Sequence, residues 1–333
     1  MERKKMEERR NISARGPITG TSDNKKFHKK GVAEMTVPRR ILKGTPYLVT
    51  RRTVWRRFFL KPTAEVNQIF LYCLAYATMK TNVLIHGYVV MSNHYHVVLT
   101  DPEGKLPDFT ACLHRLVALC LKYLWRIEEN VWSNEQTSHV ALEGEEDILD
   151  KYYYTVCNSV QAYLVDESKK WPGLCSMPKD LLKGEIEVER PKGFFGEKSK
   201  MPKKIKFKLE RPEIFMEMCD EEFVEMLEEG IEEREEEIRA EAKQKRKKFM
   251  GARRVLKQDP YARPRKRETR GKLNPQVAAK NKWRRIEALR RLQSWQRAYR
   301  EAWKAWKEGK RDVEFPAGTY ALVKYAGAKC GEP

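Results

Sequence analysis

Several things are scarce in this sequence, and each scarcity excludes something. Its apolar runs are broken by charge well short of the ~18 residues a membrane-spanning helix needs, so no span is expected. The opening Met1-Glu2-Arg3-Lys4-Lys5-Met6 lacks the apolar run of a secretory signal, and a cytoplasmic protein is expected. The 7 cysteines are odd in number, dispersed and without Cys-x-x-Cys spacing. Cys73, Cys112 and Cys120 fall in apolar helical patterns and read as reduced thiols in or near a core. Acidic residues are also in deficit: 47 Asp and Glu face 67 Lys and Arg, a formal net charge of +20. Such an excess favours a polyanionic partner, most simply nucleic acid. With 333 residues, 41% of them hydrophobic, the chain can build two domains, or one domain with large polar appendages.

Histidine is scarce too, and unevenly spent. Of 6 in the chain, three lie between Ile85 and Thr100, the most β-prone stretch. Val, Tyr and Ile dominate it, and Ser92-Asn93 breaks it in the middle, so it reads as two strands joined by a tight turn. His94 and His96 are two apart on the second strand and leave the same face; Tyr95 and Val97 leave the other. Two imidazoles about 7 Å apart along a strand can share a divalent metal. The other reading of a His-x-His pair is a chance coincidence of loop-capping or half-exposed rings.

Around this hairpin the chain alternates. Pro46–Val54 reads as a first strand, 63–82 as a helix with Val66, Phe70, Leu71, Leu74 and Ala77 at helical spacing, 107–127 as a second helix capped by Asp108, and 137–142 as a fourth strand. The order β-α-β-β-α-β predicts a ferredoxin-like α+β sheet with helices on one face. An acidic bend at 143–147 opens a third helix through Asn158, an addition near the open side of the sheet or crossing to a partner subunit. That helix carries Tyr152, Tyr153 and Tyr154, each turned roughly 100° from the last. Tyr154 and Asn158 are i and i+4, side by side. A phenol beside an amide oxygen suits a nucleophile next to a metal ligand; an aromatic cluster capped by an amide fits the same spacing.

Residues 44–172 resemble the IS200-like single-tyrosine transposases, in the branch associated with repetitive extragenic palindromes. One mark is the histidine-hydrophobe-histidine motif within Gly87–Val98; the other is Tyr154-Thr155-Val156-Cys157-Asn158-Ser159-Val160-Gln161-Ala162, followed by Trp171-Pro172. Ser159 and Gln161 stand where that family prefers Pro and Arg. The resemblance implies an HUH endonuclease fold that nicks single-stranded or hairpin DNA and transfers strands. It implies Mg2+ or Mn2+ held by His94, His96 and Asn158, Tyr154 as nucleophile, and a monomer or homodimer. Tyr153 or Tyr152 takes the role of Tyr154 if the helical register is shifted.

The remainder divides by composition into a flexible basic arm (1–43), a linker or small insertion (173–211) and a mainly helical basic module (212–333) that binds DNA. Within the module, helices are expected over 212–248, with Glu228–Glu237 solvated, and over 275–308, then a strand over 319–325. Candidate DNA contacts are Arg51, Arg52, Arg56 and Arg57, interleaved with Trp55, Phe58 and Phe59; Arg115 and Lys122 on the second helix; and Arg253, Arg254, Arg263, Arg265, Lys266, Arg267 and Arg270 in the basic link. Two other readings share the composition: a DNA-binding protein of the same fold without catalysis, and a basic RNA- or ribosome-associated protein.

Overall fold

β-branched and aromatic residues draw Thr45–Arg52 (β1), Leu84–Met91 (β2), His94–Asp101 (β3) and Ser138–Leu142 (β4) into one antiparallel sheet, ordered β2-β3-β1-β4, with β2 and β3 buried on both faces. The computed structural model describes residues 38–196, 199–265 and 275–332. Most of the expected basic arm, and Lys266, Arg267 and Arg270, lie outside the described residues.

Ala64–Thr81 (α1) and Leu106–Trp125 (α2) cover one face of the sheet. The Thr63 hydroxyl caps α1 by accepting from the Val66 N–H at 3.3 Å. This helix is apolar on nearly every side, so it must be covered on two sides. The sheet lies under it, and the hairpin Ile186–Glu189 (β5) and Lys204–Phe207 (β6) lies over it, with Val188, Ile205 and Phe207 in the same core. Each fully buried side chain there, such as Phe70, contributes about 2–3 kcal/mol by leaving water. Asp108 does not cap α2. Asp101, at the end of β3, accepts from the Lys105 and Leu106 N–H groups at 2.9 and 2.6 Å, while Asp108 pairs with Lys324.

Glu145–Val156 (α3) and Asn158–Gln161 (α4) pack on the opposite face. The single helix expected through Asn158 is thus two, broken at Cys157. Thr155, Val156, Cys157 and Asn158 are all indifferent helix formers, so little holds the turn against a bend. The β2 edge is covered by 174–176, where Val90 N–H donates to the Leu174 carbonyl at 2.8 Å and Ser176 N–H to that of Tyr88 at 2.9 Å.

Asp220–Gln244 (α5) lies across α3 and α4. Its acidic stretch is not wholly solvated: Glu235 is buried, accepting from Ser168 N–H at 2.6 Å and pairing with Arg239 at 3.2 Å. Ala252–Leu256 (α6) follows. Val277–Ala278 (β7) then adds to β4 in parallel as a fifth strand, so Lys282–Lys307 (α7) starts later than its aromatic spacing suggested, capped by Asn281. Glu314–Phe315 (β8) pairs with Lys329–Cys330 (β9), and between them the expected strand is a helix, Ala321–Ala326 (α8). The result is an α+β domain with a mixed sheet and a helical C-terminal region. Among the described residues no helix is long and apolar enough to cross a membrane.

Candidate active site on the histidine strand

The two-residue period of β3 sorts its side chains. Tyr95 goes to the α1/α2 face, where its ring meets Phe70 at 5.2 Å and its hydroxyl meets His114 Nε2 at 2.6 Å. His94 and His96 go to the α3 face, their ring centroids 4.9 Å apart.

Each imidazole is oriented by a polar neighbour. Asn93, in the β2–β3 turn, donates its amide N–H to the Arg56 carbonyl at 3.2 Å. Its Oδ1 therefore faces His94 Nδ1 at 2.7 Å and accepts from it. That leaves the lone pair of His94 on Nε2, which is 3.2 Å from Asn158 Oδ1. His96 Nδ1 lies 2.7 Å from Thr50 Oγ1, on the residue directly across the β1–β3 ladder. Neither Thr50 nor Asn93 stood out in the sequence. Strand pairing brings Thr50 in from 46 positions away, and Asn93 reads there only as a turn residue.

The three tyrosines part company. Tyr152 lies under α3 on the sheet: a Cβ on Gly87 would fall 2.7 Å from its ring, and its buried hydroxyl has no hydrogen-bond partner. Burial holds that phenol pKa well above its ordinary value. Tyr153 turns to α5, its ring seated on Gly230 and its hydroxyl 3.4 Å from the Met226 carbonyl. Tyr154 turns to the histidines, its ring edge-on to His96 with centroids 5.1 Å apart. The Lys151 ammonium lies 5.9 Å from the Tyr154 ring centroid while paired with Asp150 at 2.7 Å. Gly87→Ala is expected to cost about 1–3 kcal/mol through displacement of Tyr152. Urea denaturation measures this; an unchanged midpoint would show that the ring has room.

The donor set suits a divalent ion. An imidazole nitrogen and an amide oxygen 3.2 Å apart have the spacing of adjacent ligands on a six-coordinate ion, about 3 Å for bonds of 2.0–2.1 Å. His96 stands beside them. Among the described residues no group of three or more His, Cys, Asp or Glu could hold an ion, so any such site here draws on the amide.

The basic candidates divide. Arg52 pairs across the ladder with His94 on the histidine face and, with Arg56, Arg263 and Arg265, lines a cleft at the end of β1. Arg57 pairs with Glu129 beside that cleft. Arg51 points to the other face, held by Thr137 at 2.5 Å and the Ser133 carbonyl at 3.2 Å. Arg115 and Lys122 ride on α2, in the layer opposite the histidines, with Lys122 folded onto the Glu128 carbonyl. Arg253 and Arg254 are exposed on α6.

No family model matches the chain, and no curated protein matches it. Among solved structures it bears a weak resemblance to a REP-associated tyrosine transposase bound to a REP hairpin: 19% identity over 47% of this chain and 86% of that one, with a TM-score of 0.36. It bears another to a candidate transposase from Deinococcus radiodurans R1, at 19% identity over 32% of this chain and 85% of that one, with a TM-score of 0.25. Likeness at this level fixes neither a fold family nor the role of any residue.

Proposed function

We propose that this protein is a metal-dependent single-tyrosine endonuclease and strand transferase acting on single-stranded, hairpin-forming DNA, built on a ferredoxin-like HUH fold. One observation carries the reading: two strand imidazoles, a helical amide oxygen and one of three consecutive tyrosines meet at a single place. The sheet order β2-β3-β1-β4 agrees with the fold assignment. Residues 44–172 form the catalytic domain, and 212–333 grip flanking DNA through Arg253, Arg254, Arg263 and Arg265.

His94, His96 and Asn158 hold Mg2+ or Mn2+, the mixed nitrogen and oxygen set leaning toward Mn2+. When bound, the ion polarises the scissile phosphate and offsets its developing charge. Asn93 Oδ1 accepts from Nδ1–H of His94, so its Nε2 presents a lone pair, and Thr50 fixes the orientation of the His96 ring through Nδ1. Tyr154 supplies the nucleophile. Its oxygen forms a bond to phosphorus, the bond from phosphorus to the 3′ oxygen breaks, and that oxygen leaves as a 3′-OH. The phenol proton departs and the leaving oxygen gains one, so the step balances without oxidant or ATP.

The test is incubation of the full chain with a DNA hairpin carrying single-stranded flanks plus Mn2+. A covalent protein–DNA species on a denaturing gel is expected. Retarded native complexes with no covalent species, at saturating metal and DNA, would reduce the protein to a DNA-binding relative of the fold. Thr50→Val should weaken Mn2+ binding about tenfold or more by loosening His96, with little change in folding. Calorimetric Mn2+ titration measures it, and wild-type affinity would refute the orienting role.

A further inference from the structure

Where β1 ends, the backbone makes an unusual turn. Trp55 and Arg56 are both left-handed, at φ 53° and 58°. Two such residues in a row cost about 1–2 kcal/mol each, so their surroundings must impose them. They do: Thr53 N–H donates to the Asn93 carbonyl at 2.9 Å, Thr53 Oγ1 to the Arg57 carbonyl at 2.6 Å, and Val54 N–H to the Val131 carbonyl at 2.8 Å. The outcome of this strain is an indole held out in solvent, 66% exposed.

A second aromatic faces the same pocket. Tyr261 comes from the C-terminal half and is 43% exposed. Its segment is fastened down, with Phe58 N–H donating to the Ala262 carbonyl at 3.0 Å, the Tyr261 hydroxyl to the Trp125 carbonyl, and its ring edge-on to Phe59 at 5.4 Å. Arg57 lies over the Tyr261 ring at 5.7 Å, and Arg263 closes the rim. The adjoining cleft holds Arg52, Arg56, Arg263 and Arg265 against one acid, Glu135. It leads to Arg52, opposite His94.

Two rigid aromatic faces flanked by guanidinium groups fit a flat ring with a phosphate on each side, which is an unpaired nucleotide. Bases inside a duplex offer no free face. We infer that the slot between Trp55 and Tyr261 seats one unpaired nucleobase of single-stranded DNA, with Arg263 and Arg265 on its phosphates. The inference rests on the nuclease reading for its choice of DNA. It adds that the C-terminal half builds part of the strand path into the histidine site.

The test uses the full chain without added metal and a labelled hairpin with a single-stranded flank, read by fluorescence anisotropy. Trp55→Ala should weaken binding about tenfold or more, the weight of one stacked base, and Trp55→Phe should restore most of it. Abasic substitution, one flank position at a time, should reveal one position whose loss costs the wild type as much but costs Trp55→Ala nothing further. A blunt hairpin should not distinguish the two proteins. Trp55→Ala within twofold of wild type, an equal loss on the blunt hairpin, or no abasic position that loses its cost overturns the slot. Adduct formation separates the two readings. A chain that forms the adduct while Trp55→Ala binds normally loses the slot alone; a chain that binds through Trp55 and never forms the adduct loses the nuclease alone.

Discussion

Tyr154→Phe is expected to abolish the covalent protein–DNA adduct, by at least about four orders of magnitude, while leaving DNA affinity and folding near wild type. The change deletes one oxygen, and the ring keeps its edge-on contact with His96. No other group in the described site replaces a phenol as a nucleophile. The neighbouring tyrosines are internal controls. Tyr152→Phe removes a buried hydroxyl that has no partner, so stability should hold or rise slightly. Tyr153→Phe loses one long contact to the Met226 carbonyl, costing about 1 kcal/mol or less. Both variants should still form the adduct. Denaturing gels score the yield, and mass spectrometry of the digested adduct locates the modified residue. An adduct persisting in Tyr154→Phe, or lost in Tyr153→Phe alone, would move the nucleophile while sparing the reaction class.

Sequence alone separates these tyrosines only by angle. A 100° step says that three in a row cannot share a face; it does not say which face meets the histidines. The choice is made by two glycines far away in the chain, Gly87 under Tyr152 and Gly230 under Tyr153, each leaving room where a Cβ would collide. Nothing local marks either glycine as a ring seat. The histidine parity, by contrast, is a property of one strand, so it was legible at once. The same contrast runs through the fold. The sheet strands and the two helices over it follow from local composition and apolar runs of the right length. The strand expected over 319–325 fails because Ala-Leu-Val-Lys-Tyr-Ala is too short for period to arbitrate; a helix of 6 residues forms instead, ended by Gly327 and tied to α2 through Lys324 and Asp108. The start of α7 lies later than local spacing predicts because Val277 and Ala278 pair with β4, 136 positions away.

Acid should unfold this protein early, and the cause lies in three buried imidazoles outside the candidate site. His86 is buried between the Glu210 carbonyl at 2.6 Å and Thr100 Oγ1 at 2.8 Å, and burial lowers its pKa to about 4. His139 is buried with no hydrogen-bond partner for either ring nitrogen; burial, with Arg39 and Arg51 nearby, lowers its pKa to about 3. His114 is lowered well below its usual value by burial, then by Arg51 and His139. An unfolded histidine titrates near 6.5, so above that pH both states are neutral and stability is complete. As pH falls below 6.5 the unfolded chain takes up protons the folded chain refuses, and stability drops by about 1.4 kcal/mol per pH unit for each histidine. The loss continues until the folded pKa is reached, which makes His86 alone responsible for about 3 kcal/mol by pH 4. His86 and His139 would together remove about 4 kcal/mol by pH 5, a large share of the stability of an ordinary domain, and His114 acts in the same direction. Urea denaturation at pH 7.5, 6.0 and 5.0 should therefore show a steep fall between the last two. His139→Leu puts an apolar side chain where the imidazole finds no hydrogen-bond partner, and should flatten that fall by about one proton. A slope unchanged in His139→Leu would mean that His139 takes its proton inside the fold, with Arg39 and Arg51 too well screened to oppose it.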